Sequence, residues 1–198
     1  MLASITPLGE RGRRSRWWLT VTAYLLGSIA GGAVAGGVAA AIGAAMGTGS
    51  WSTGFRLVSI AVALLAGLAL DLQIAGSRLP TVHRQVDEQW RARYRGWVWG
   101  IAFGFQLALG VVTIVTTSMV YVTWLAATLT GSVGAGAAIG VAFGLARAVP
   151  IFAVAGVRSP AQLSGIDAGL RRFAAPARGI TYAAGGTLAA VSMAGAVR

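Results

Sequence analysis

Apolar residues fill five stretches of the chain, at 17–46, 57–76, 96–129, 133–156 and, more weakly, 179–197. About 20 residues of helix cross a hydrocarbon core of about 30 Å, so the pattern predicts a helix across a bilayer in each. The first and third stretches are longer than one straight perpendicular span, which predicts tilt, protrusion or a break. Neither contains proline, so glycine would have to supply any break. The first stretch is also twice as long as a signal-peptide core, and is expected to be a retained span.

Three polar segments, one before the first stretch and two between stretches, divide the chain. Residues 1–16 form a basic N-terminus, 17–80 a first transmembrane hairpin, 81–95 a linker, 96–158 a second hairpin, 159–178 a second linker and 179–198 a terminal transmembrane helix. Both linkers read as short amphipathic helices lying in the headgroup layer. In the first, Val82, Val86, Trp90 and Tyr94 recur every four residues, with Asp87 and Arg91 one turn apart. In the second, Ser159-Pro160-Ala161-Gln162 has the form of a capping box with proline at the first helical position. Its Leu163, Ile166, Leu170 and Phe173 fall on one face.

Composition agrees with a membrane protein. Only 11% of the 198 residues are charged and 56% are hydrophobic, against about a quarter charged in a soluble domain. The mean hydropathy is +0.72. All 16 basic residues are arginine, giving a net charge of +11. They lie between apolar spans and lack the aromatic-interleaved groove of a nucleic-acid reader. Arginines in short flanking loops stay cytoplasmic, which predicts an inside N-terminus, both linkers inside, and Arg56 and the C-terminus outside a cell membrane. The expected fold class is thus all-α, a polytopic membrane protein of about five spans.

A shift of about 80 residues superposes recurring roles. Arg11, Arg13 and Trp17 fall on Arg91, Arg93 and Trp97, Ser52 and Gly54 on Ser132 and Gly134, and Arg78 and Pro80 on Arg158 and Pro160. Basic entry, interfacial tryptophan, small-residue turn and basic exit recur in order, which predicts two parallel hairpins related by an axis along the membrane normal, plus the terminal helix. Glycines four apart, at Gly27/Gly31, Gly32/Gly36, Gly96/Gly100/Gly104 and Gly136/Gly140/Gly144, would let backbones approach. Tight packing inside one chain is the plainer use of such rows; a homodimer or a membrane partner docked on one of them is the other.

Within residues 110–155, LGVVTIVTT is followed by ATLTGSVGAGAAIGVAFGLARAVPIFAVA. This stretch resembles part of the transmembrane domain of the cytochrome c biogenesis and thiol-disulfide interchange family (CcdA/DsbD type). Leu109-Gly110, the turn at 130–134, Gly144-Leu145 and Pro150-Ile151-Phe152 occupy comparable places. Thr113 and Ile114 stand where the family's Pro-Cys element is expected, and the chain has no cysteine. The resemblance therefore implies the fold and not dithiol electron transfer.

Other chemistry has little to stand on. His83 is the single histidine, beside Arg84 in a linker, with no second ligand to make a metal site. No phosphate loop or nucleophile elbow occurs, and the five carboxylates do not cluster in the spans. No enzyme activity and no cofactor are expected. Two charges do fall inside spans: Asp71 near the end of the second and Arg147 near the middle of the fourth. Such charges are costly in hydrocarbon and usually face a partner or water. They could pair with each other, bind a ligand or snorkel to an interface. The third stretch carries Gln106, Thr113, Thr116, Thr117 and Tyr121, with Thr113, Thr117 and Tyr121 on one face. Threonines of this kind often bond to their own helix; the alternative is a cavity wall exposed by a break near Gly110.

Two functions follow. One is a transporter or permease-like protein whose polar site draws on Gln106, Thr113, Thr117, Tyr121, Asp71 and Arg147. The other is a non-catalytic membrane subunit that anchors or stabilises a partner protein.

Overall fold

Helices account for every regular element among the described residues, and each end has a local cause. The computed structural model describes residues 16–74, 95–110, 117–157 and 159–196, with position 7. The basic N-terminal arginines before Arg16, the linker carrying His83, Asp87 and Trp90, and Thr113 and Thr116 lie outside the described residues.

Helix α1 (Trp17–Ala45) runs 29 residues and stops at Gly47, whose φ of 72° is left-handed and favours glycine. A short 3₁₀ turn, Thr48–Ser50, leads to α2 (Thr53–Asp71). Ser52 caps α2, its hydroxyl accepting the Phe55 N–H at 3.2 Å. The third apolar stretch is two helices, α3 (Gly96–Ala108) and α4 (Met119–Thr130). Helix α5 (Val133–Ala148) tightens at Pro150 into a 3₁₀ segment, Val149–Val154.

Helix α6 (Pro160–Ala196) is one 37-residue helix running through Pro176. It runs without a boundary through the residues expected to form a second linker and a terminal span, and it is not among the helices apolar enough to cross a membrane. At about 1.5 Å per residue it extends roughly 55 Å, more than a bilayer core. Its start is the capping box read from sequence: Gln162 Oε1 accepts the Ser159 N–H at 3.2 Å, and Ser159 Oγ accepts the Gln162 N–H at 3.4 Å.

By length and apolar composition, α1, α2 and α5 with its 3₁₀ extension can each cross a membrane. Helix α4 is a shorter apolar helix. Large apolar side chains such as Val34, Val38, Val62, Leu65, Leu188 and Val191 point outward, as a lipid-facing surface requires.

Helix α1 sits at the centre, parallel to α3 and antiparallel to α5. A Cβ on Gly27 or Gly31 would run into the backbone of Ile101 or Phe105 in α3. One on Gly32 or Gly36 would run into Gly140 or Gly136 in α5, and one on Gly144 into the Ser28 carbonyl. Glycine rows on opposite sides of α1 thus let its backbone touch two neighbours.

The parallel pair keeps the repeat's register. Gly100 lies against the Thr20 carbonyl and Gly104 against the Tyr24 carbonyl. At the far end the Thr48 hydroxyl donates to the Thr128 carbonyl at 2.9 Å, 80 positions away. Positions 80 apart therefore meet along α1 and α3 and again where Thr48 reaches α4. The last turns of α6 pack along the start of α2, with Gly195 against Leu57 and Gly54 near the Ala196 carbonyl.

Candidate functional site at the break in the third segment

Helix α3 ends because Gly110 adopts a φ of 75°, a left-handed conformation that costs a side-chain-bearing residue energy. Space also requires glycine there: a Cβ would sit 3.0 Å from Val120 Cγ1, 3.1 Å from Trp124 Nε1 and 3.3 Å from Phe143 Cε1. Helix α4 begins after Ser118, so its N-terminus lies inside an apolar segment, where its first N–H groups need acceptors.

Asp71, the last residue of α2, supplies the acceptor for one of them, that of Ser118, while Thr117 Oγ1 accepts the Met119 N–H at 3.4 Å. The Asp71 carboxylate accepts the Ser118 N–H at 2.8 Å, the Ser118 hydroxyl at 2.9 Å and the Thr117 hydroxyl at 2.9 Å. An acidic group at a helix N-terminus also complements the helix dipole. The Tyr182 hydroxyl of α6 donates to the Asp71 carbonyl at 3.3 Å, tying a third helix to the clasp. Gly67, one turn before Asp71, leaves room for Ser118: a Cβ there would come 2.6 Å from the Ser118 Oγ.

Arg147 lies elsewhere. Its guanidinium carbon is 5.5 Å from the centre of the Phe143 ring, in the range of a cation–π contact. Phe143 meets Trp124 edge to face at 4.9 Å. Tyr24 stacks on Phe103, which stacks on Trp99 at 4.9 Å. Among the described residues no carboxylate pairs with Arg147. The expected ion pair between Asp71 and Arg147 is absent, because the opened end of α4 offers Asp71 three donors on the α2 side.

The structure therefore brings Asp71 and Thr117 together and sets Arg147 apart. Gln106 and Tyr121 are half-buried on either side of the break, and Thr113 lies outside the described residues. Sequence reasoning missed Ser118, Tyr182, Trp124 and Phe143. Thr117-Ser118 immediately before an apolar run is a helix-start signal, and the continuity of the apolar stretch concealed it.

The division of the third apolar segment after Gly110 falls within the stretch on which the resemblance rests. The family model for the cytochrome C biogenesis protein transmembrane region matches residues 2–194. The chain belongs to this family. Membership thus extends well beyond residues 110–155, over nearly the whole sequence. Three similar curated proteins are all methylamine utilization proteins MauF. The one from Paracoccus versutus is 29% identical over 151 residues, 76% of this chain and 55% of that protein. The one from Paracoccus denitrificans is 35% identical over 102 residues, 50% of this chain and 37% of that protein. The one from Methylophilus methylotrophus is 35% identical over 96 residues, 46% of this chain and 34% of that protein. The chain thus spans about half the length, or less, of these relatives. No solved structure matches it. Within the cytochrome C biogenesis transmembrane family it has no cysteine, so its own side chains cannot carry a dithiol relay.

Proposed function

We propose that this chain is a carrier, a permease-like membrane protein in which a family scaffold serves solute passage and not thiol exchange. The supporting observation is the break at Gly110, where the third segment opens beside Arg147 while Asp71 closes the exposed helix end. A transport site needs irregular backbone at membrane depth that is shielded from lipid. Helices α1, α3 and α5 beside it are held by backbone-to-backbone glycine contacts. In this reading the N-terminus and both arginine-rich linkers face the cytoplasm of the cell, following the distribution of arginine.

No enzyme chemistry and no cofactor belong to the reading. The relatives' name refers to methylamine utilization, and a carrier for a small solute is a role compatible with such a system. The test is uptake of radiolabelled acetate, methylammonium and glycerol by proteoliposomes containing the full chain. Saturable uptake of one probe above that of protein-free vesicles is expected. Entry of every probe at the protein-free rate would remove the carrier reading in favour of a non-catalytic subunit that anchors a partner.

A further inference from the structure

The proposed carrier leaves its solute unnamed, and the groups beside the break restrict the choice. Arg147 projects from the last turn of α5, in a helix apolar enough to span a membrane. Among the described residues it has no carboxylate partner, and Asp71, the one acidic side chain described, is taken up by Thr117 and Ser118. The Trp124 indole N–H is buried with no hydrogen-bond partner. Trp124 and Arg147 share Phe143: the indole meets the ring's edge region at 4.9 Å between centroids, and the guanidinium lies 5.5 Å from its centre. Gly110 adjoins this cluster, where a Cβ would fall 3.1 Å from the indole nitrogen.

We infer that Arg147 and Trp124 bind a small monocarboxylate beside the break at Gly110. The inference deepens the carrier reading and rests on it, naming the class of solute. Both groups are pure donors. A guanidinium presents a planar fork that fits a carboxylate in two parallel bonds, and an indole N–H adds a third donor with no acceptor of its own to satisfy. A cation would face the guanidinium's repulsion and would find the Phe143 face already occupied. One arginine matches one negative charge, and a dianion such as phosphate would remain half-neutralised in an apolar surrounding. The bound carboxylate would in turn neutralise an arginine that is otherwise costly at that depth.

The test is titration of the detergent-solubilised full chain at constant ionic strength, followed by calorimetry and by intrinsic tryptophan fluorescence. The probes are sodium acetate, sodium phosphate and methylammonium chloride. Acetate is expected to saturate, with a Kd raised at least tenfold in Arg147→Gln and by a smaller factor in Arg147→Lys, which keeps the charge and loses the fork. Trp124→Phe should weaken binding severalfold and remove most of the optical change. Each variant is compared by thermal unfolding and size-exclusion profile, and Arg147→Lys serves if Arg147→Gln does not fold. Acetate binding that is non-saturable, or unchanged in the folded Arg147 variants, overturns the inference, as does stronger saturation by methylammonium or phosphate. Arg147-dependent acetate binding without uptake in proteoliposomes would leave the site standing and remove the carrier. Saturable uptake unaffected at Arg147 would do the reverse.

Discussion

Asp71 and Ser118, 47 positions apart in the chain, are joined twice: the carboxylate accepts both the backbone N–H at 2.8 Å and the side-chain hydroxyl at 2.9 Å of the same serine. The bond to the N–H is a helix cap supplied from another helix. It fixes where α4 begins and couples the end of α2 to the break. Asp71→Ala should lower stability by about 3 kcal/mol, since hydrogen bonds to a charged group are worth roughly 1.5–3 kcal/mol each and water can replace part of the loss. Asp71→Asn keeps an acceptor and should cost about 1 kcal/mol, the scale of a charge at a helix terminus. Thermal unfolding in detergent measures both, and equal effects would mean that charge does not matter at the cap.

Arg147 and Asp71 should behave independently. Their partners are different residues on different helices, so a double-mutant cycle with Asp71→Ala and Arg147→Ala should be additive within about 0.5 kcal/mol. A coupling well above that would show that the two charges meet in a way the structure does not display.

Glycines in the α1–α5 contact should differ sharply from glycines outside it. Gly36→Ala places a methyl against the Gly136 backbone and should cost about 1–3 kcal/mol as overpacking. Gly134→Ala has nothing within 4 Å of its new methyl and should be neutral or stabilising by a few tenths of a kcal/mol, through the unfolded chain. Equal behaviour of the two would argue against helix contact through glycine.

Thr48 should matter through one bond. It is buried and donates to the Thr128 carbonyl, so Thr48→Val, similar in shape, should cost about 1 kcal/mol. Unchanged stability would mean that this carbonyl is served equally well by its own helix.

Much of this fold was legible in the sequence because each signal is local. The Ser159–Gln162 capping box forms as its spacing requires, and Gly131 takes a left-handed φ within the turn read at 130–134. The 80-residue shift was read from Trp17 and Trp97 and from Ser52 and Ser132, and the structure adds contacts at the same spacing, Thr48 with Thr128 and Tyr24 with Gly104. The site was less legible. Whether Asp71 pairs with Arg147 or with a helix end depends on where the third segment breaks, and hydropathy does not distinguish an apolar helix from two apolar helices in line. Nor does periodicity mark Trp124 and Phe143, which meet at the break only through tertiary packing. The continuity of α6 through Pro176 was also hidden, since arginines and proline there resemble a boundary.

A carrier needs the break in the third segment to open to water at membrane depth, and the cysteine-free sequence allows a direct measurement. Gln106→Cys and Tyr121→Cys flank the break, and Ala40→Cys lies in the sealed glycine contact of α1, where Ala40 has no exposed surface. Each is treated with a membrane-impermeant thiol reagent from either side of sealed vesicles. Labelling is expected at 106 or 121 and none at 40. Protection of both 106 and 121 from both sides, with the folded protein still labelled at a linker position, would contradict the carrier reading.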